Sequence, residues 1–289
     1  MTIWNLGSIN ADHVYALPHL PGPGETLAAR SLTTGLGGKG ANMSVACARA
    51  GGQIRHIGAV GAEGAWMVDR LRSYGVDTSA ILTLDGASGH AIIAVDDAAE
   101  NMILVFPGTN RRIPRAHIDA TLAAAKAGDL FLTQNETNHQ VEAAFSAKLR
   151  GLRVAYAAAP FDAAAVQAIL PHADLLLLNE VEAEQLRQAT GQGPASLGLS
   201  DVIVTLGAEG SVWLHGGQEH RVPALRVTPV DTTGAGDTFT GYVLAGLDEG
   251  RPMPDALALA TRASALKVTR PGAADAIPTR LEAEAFHAG

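Results

Sequence analysis

Two rhythms of apolar positions alternate along most of this chain. Short, near-continuous apolar runs read as buried strands, and the segments between them repeat apolar residues at helical spacing. After Pro114 the alternation is clean. A helix runs to Lys126, followed by strand Asp129–Thr133, helix Val141–Leu149, strand Leu152–Ala157, helix Ala163–Leu170, strand Ala173–Leu178, helix Val181–Ala189 and strand Val202–Thr205. This succession predicts an α/β fold, a doubly wound and mostly parallel sheet with helices on both faces. Ile3–Leu6 and Gln53–Val60 add strands, with helices around Val45–Ala48 and Trp66–Leu71. The early part breaks the rhythm. Glu25–Leu36 reads as extended, and His90–Val95 and Asn101–Phe106 flank the polar turn 96–100 as a β-hairpin. Together, segments of about 11–36 and 88–108 predict a small β-sheet on a single domain spanning 1–289. Its exposed edges favour pairing with a second copy, a homodimer. Near the other end, Val212–Leu214 and Arg221–Val227 read as antiparallel, and helices are expected over Pro254–Val268 and Thr279–His287.

Composition narrows the function without naming it. The 289 residues are 47% hydrophobic and 17% charged, enough for a sizeable core. A net charge of −8 with scattered Lys and Arg argues against a nucleic-acid or anionic-membrane surface. Cys47 is the only cysteine, so an internal disulfide and a thiolate zinc cluster are both excluded. The N-terminal residues do not form a signal peptide, and no apolar run reaches membrane-spanning length. A soluble cytoplasmic protein is the expectation.

The chemistry concentrates in Asp231-Thr-Thr-Gly-Ala-Gly-Asp237. Small residues opening a helix leave its first N–H groups bare, an anion site. Asp237 at that mouth would repel an anion. Its place makes sense if it takes a proton from a hydroxyl that then attacks a bound phosphate. Polar residues also recur at predicted strand ends, Asn10 and Asp12, Glu136, and Asn179 with Glu182. This suits ligand binding at the carboxyl edge of an α/β sheet. For Glu182 the simpler reading is an acid in the first turn of a helix. The loop Gly35-Leu-Gly-Gly-Lys-Gly-Ala-Asn42 matches the spacing of a dinucleotide fingerprint but lacks the later acidic residue. It is no Walker A loop either, because Gly40 follows Lys39. It remains a glycine-lined loop where backbone can approach a ligand, with Lys39 and Asn42 as donors.

Two ordered stretches, Gly37-Gly-Lys-Gly-Ala-Asn-Met-Ser44 and Asp231–Asp237, resemble the signatures of the PfkB, or ribokinase-like, carbohydrate kinases. The resemblance spans essentially the whole chain. Leu6–Asp12 and the tail Val268-Thr-Arg-Pro-Gly-Ala bring it nearest to the ribokinase subgroup. It implies transfer of the ATP γ-phosphate to a primary hydroxyl of a small sugar, D-ribose first, with other pentoses, hexoses or nucleosides as alternatives. It implies Asp237 as general base, and Gly234, Ala235 and Gly236 as the anion hole. Asn10, Asp12, Gly38, Lys39, Asn42 and Glu136 would hold the sugar. Asn179 and Glu182 would serve Mg²⁺ and its nucleotide, with Thr205, Gly207 and Gly210 lining the nucleotide site. Relatives activated by a monovalent cation, usually K⁺, hold it near Asp231, Thr233, Val268 and Gly272. The small sheet would be a lid that also makes the dimer contact. A non-catalytic sugar-binding protein is the less favoured alternative, because Asp237 and the Gly-Ala-Gly loop are both present.

Overall fold

A computed structural model describes residues 1–98 and 100–287. The first strand, β1 (Ile3–Leu6), is wholly buried and ends at Gly7. The chain then leaves for a second sheet as β2 (Asn10–Ala16) and β3 (Ser31–Gly37), and returns through α1 (Lys39–Arg49). Next come β4 (Ile54–Val60), α2 (Ala65–Ser73) and β5 (Asp77–Thr83). β6 (Gly89–Val95) and β7 (Asn101–Phe106) complete the second sheet, and Ala99 of the expected turn lies outside the described residues. The alternation after Pro114 appears as α3 (Arg115–Leu122), β8 (Leu130–Thr133), α4 (Gln140–Leu149), β9 (Arg153–Ala157), α5 (Ala163–Ile169), β10 (Leu175–Asn179), α6 (Glu180–Thr190) and β11 (Asp201–Thr205). The hairpin β12 (Ser211–His215) and β13 (Gln218–Val222) precedes α7 (Ala235–Asp248), α8 (Met253–Val268) and α9 (Arg280–Ala285).

The main sheet has nine strands in the order β13-β12-β11-β10-β9-β8-β1-β4-β5. Strands from β11 to β5 run parallel, and β12 and β13 add an antiparallel edge. Side chains alternate between two cores, as a sheet covered on both faces requires. Leu175, Leu177 and Ile203 pack with Val45, Val243 and Leu257 of α1, α7 and α8. Leu176, Leu178 and Val202 pack with Leu122, Ala144, Val166 and Leu186 of α3–α6. The second sheet orders as β3-β2-β6-β7, drawn from the segments expected to form it.

From β1 the chain first winds toward β4 and β5, then crosses back to β8 on the other side of β1. That reversal opens a crevice at the carboxyl ends of β1 and β8, where ligands of open α/β sheets bind. Two close approaches shape it. Gly7 and Gly40 cross so tightly that a Cβ on Gly7 would lie 2.6 Å from the Gly40 Cα. At Gly38, φ is 91°, a left-handed value that favours glycine, and it turns β3 into α1. Part of the glycine content read as ligand access is therefore demanded by backbone packing.

Candidate active site

α7 begins with Gly234 in the left-handed conformation, φ 72°, so the chain enters the helix abruptly. The Ala235 amide bonds the Thr232 carbonyl at 3.2 Å, and Thr238 closes the first turn on Gly234 at 2.9 Å. Gly236 and Asp237 stand between them at the helix start, and a Cβ on Gly236 would meet open space. The opening faces a cleft of about 230 Å³ at the carboxyl ends of β9, β10 and β11. Lys39, Asn179, Glu182, Thr205, Gly236 and Asp237 all line it. Residues separated by almost 200 positions thus converge on one bare helix start.

Asp237 is only 7% exposed and accepts a hydrogen bond from Asn42 Nδ2 at 2.8 Å. The other side-chain atom of that amide, Asn42 Oδ1, is buried and finds no partner among the described residues. A buried acceptor without a donor suits a hydroxyl-bearing ligand. Lys39 holds its proton more firmly than an ordinary lysine, first because of Asp237 and then because of Glu136 and Glu182, which outweigh the effect of burial. Burial pushes Glu182 upward, with Asp237 adding to the rise and Lys39 opposing it.

A second group of polar residues joins this cleft at the reversal point. Glu136, just beyond β8, accepts hydrogen bonds from the Ser8 hydroxyl and from the Lys39 amide, the latter at 3.0 Å. Asp12 on β2 lies over Gly37 of the neighbouring β3, where any Cβ would run into its carboxylate. Burial, then the charges of Glu136 and Asp237, raise the Asp12 pKa to about 7. Asn10 is fixed by Asn110, whose Nδ2 donates to the Asn10 side-chain oxygen at 2.8 Å while its Oδ1 accepts from the Ile9 amide at 3.0 Å. Sequence reading passed over Ser8 and Asn110. Ser8 lies within Leu6–Asp12, two residues past the predicted strand Ile3–Leu6, but Asn110 carried no local signal.

The expected nucleotide residues divide. Asn179 and Glu182 form a reciprocal cap on α6, each side chain accepting the other's backbone N–H at 2.8 Å. The simpler reading of Glu182 therefore holds, although both residues also border the cleft. Thr205 reaches the cleft, whereas Gly207 and Gly210 lie outside its lining. Gly210 has φ 103° and sits against the backbone of Val222 and Pro223, so packing explains it. No cluster of three or more His, Cys, Asp or Glu among the described residues is placed to hold a metal. A Mg²⁺ ion here would be bound mainly through phosphates and water, as this ion allows.

Asp231 accepts the Thr233 amide at 2.8 Å and the Gly272 amide at 2.9 Å. Burial alone would raise its pKa, but these bonds and Lys267 hold it below the usual carboxylate range. The Val268 carbonyl accepts the Val230 and Asp231 amides at 2.7 and 3.1 Å. The four residues expected around a monovalent cation are thus brought together at the loop's first turn.

The model for pfkB family carbohydrate kinases matches residues 3–280. The chain belongs to this family. A ribokinase of Haemophilus influenzae is 35% identical over 300 residues, covering 99% of this chain and 98% of its own. A deoxyribokinase of Salmonella typhi is 30% identical over 296 residues, 96% of each chain. The solved structure of an Arabidopsis thaliana ribokinase complexed with ribose and ATP superposes with a TM-score of 0.85 at 27% identity, covering 98% of this chain and 97% of the other. This protein is a carbohydrate kinase with the ribokinase fold.

Proposed function

We propose that this kinase transfers the γ-phosphate of MgATP to the primary hydroxyl of D-ribose, giving ribose 5-phosphate. One observation carries the reading. Asp237 is buried at the bare start of α7, bonded to Asn42, and shares one cleft with Lys39, Asn179 and Glu182. The ribokinase and the ribose- and ATP-bound relative support the choice of substrates.

Phosphoryl transfer asks for alignment and charge stabilisation more than for covalent chemistry. Asn10, Asp12, Asn42 and Glu136 hold the sugar hydroxyls, and Asp237 accepts the proton of the attacking one. The amides at the α7 start face the charge that develops on the transferred group. Lys39 feels the charges of Asp237, Glu136 and Glu182, and its ammonium would serve both the sugar side and the phosphates. Asn179, Glu182 and Thr205 border the nucleotide, and bound Mg²⁺ would neutralise phosphate charge. The second sheet acts as a lid over the sugar.

Its β7 strand exposes Met102, Ile103, Leu104, Val105 and Phe106, with Val105 at 61%. A row of apolar residues on an edge strand favours pairing. The lid therefore doubles as a homodimer contact.

The deoxyribokinase relative favours one second reading, in which 2-deoxyribose is the better acceptor. ADP release with MgATP across pentoses, hexoses and nucleosides separates the two. Ribose should give the highest kcat/KM. A higher value for deoxyribose or a nucleoside reassigns the substrate, and no turnover on any acceptor removes the kinase reading.

A further inference from the structure

Lys267, in the last turn of α8, is 0% exposed. Burying an ammonium is costly unless it is paired and hydrogen-bonded, and an apolar side chain would fill the same space more cheaply. Its Nζ donates to the Asp231 carbonyl at 2.9 Å, and that carbonyl opens the loop ending at Asp237. The neighbouring oxygens are committed as well. The Asp231 carboxylate accepts two amides, and the Val268 carbonyl accepts two more. Each of these oxygens already gives one acceptor position to an N–H group or to the ammonium, which weakens it as a ligand for a monovalent metal. A metal ion at the Asp231 carbonyl would also face a like charge. The Asp231 and Val268 oxygens are therefore poor ligands for K⁺, and the ammonium already supplies a positive charge there.

We propose that the Lys267 ammonium is the built-in cation of this loop, so the enzyme works without a monovalent metal ion. Lys267 touches no reacting atom. It is a positioning residue that holds the Asp231 carbonyl, and with it the turn that presents the α7 amides and Asp237. Ser264, one turn earlier on α8, bonds the Ala235 carbonyl at 3.1 Å, so one helix braces both ends of the anion loop. The inference rests on the kinase reading for its catalytic consequence, but not for its structural one.

The test compares KCl, NaCl and tetramethylammonium chloride at matched ionic strength, reading initial rates with MgATP and ribose and the thermal unfolding midpoint. Wild-type rates should agree within about two-fold across the salts, and the midpoint should not rise selectively with K⁺. A stimulation by K⁺ of about ten-fold, or a K⁺-specific rise in midpoint, would overturn the proposal. Lys267→Met should lower kcat at least about ten-fold with little change in ribose KM, and K⁺ or methylammonium should restore part of it. If Lys267→Met keeps wild-type kcat, or loses activity that no cation restores, Lys267 is a packing residue only. Should that variant not fold, the wild-type salt series still decides. If no acceptor turns over, the kinase reading fails, while the midpoints continue to test the cation.

Discussion

Asp237 is buried and Asp12 half-buried in one candidate site, and their neighbours differ. Asp237 has an amide donor on one oxygen and a bare helix start beside it. Replacing it with Asn keeps the shape but removes the proton acceptor, which is worth roughly 10²- to 10⁴-fold. Asp237→Asn should lower kcat by that order with the unfolding curve unchanged, and single-turnover kinetics would show near-normal chemistry if the assignment is wrong. Asp12 is raised from its ordinary 3.8 to about 7 by burial and by the negative charges of Glu136 and Asp237. The unfolded chain therefore loses this proton first as pH rises. Asp12 costs stability increasingly between about pH 4 and pH 7, and the full cost is present above that range. The charged form is the better acceptor for sugar hydroxyls, so kcat/KM for the sugar should rise through about pH 7, the value of the free enzyme. Asp12→Asn should flatten that step, and its persistence in the variant would assign it to another group. At this scale the sequence was informative where residues sat in an ordered run, as in Asp231–Asp237. Asn110 was invisible because its partners, Ile9 and Asn10, lie 101 and 100 positions away.

Among the elements, those with strong apolar runs were legible to within a few residues, and those fixed by turns were not. The second strand of the last hairpin was expected at Arg221–Val227 but forms at Gln218–Val222. Gly216 and Gly217 explain the shift. Both have positive φ, 57° and 76°, and join His215 directly to Gln218 as a tight two-residue turn. Pro223 then ends the strand, having no N–H to offer. β5 was missed altogether, since Asp77–Thr83 carries polar residues on an edge where one neighbour suffices. α3 stops at Leu122 rather than Lys126, giving way to turns. The glycine loop before α1 was read as ligand access, yet Gly40 packs against Gly7 and Ser8 backbone. Gly40→Ala should therefore destabilise the fold by about 1–3 kcal/mol in urea denaturation, the cost of overpacking a site with no side chain to yield. A stable variant with impaired sugar binding would return Gly40 to the ligand.

For the molecule as a whole, the doubly wound sheet followed from the alternation after Pro114, while its strand order did not. Alternation fixes that strands are parallel, but the crossing from β5 back to β8 is a tertiary event. The accessory sheet was legible as an interruption of the alternation. Val105→Lys on β7 should shift a dimer toward monomer in sedimentation velocity, with core stability unaffected. Unchanged mass would leave β7 without that role. The two sheets are joined by Gly7–Ile9, Gly38, Leu84–Ser88 and the stretch 107–114, which contains Asn110. The first two joints border Asn10, Asp12 and Lys39, and Asn110 of the last grips Asn10. On the proposed reading, tilting one sheet against the other would reshape the sugar pocket, and a bound sugar would fix the tilt. Occupancy and posture would then be one thermodynamic variable, so a substitution that stiffens a joint should alter affinity and turnover together.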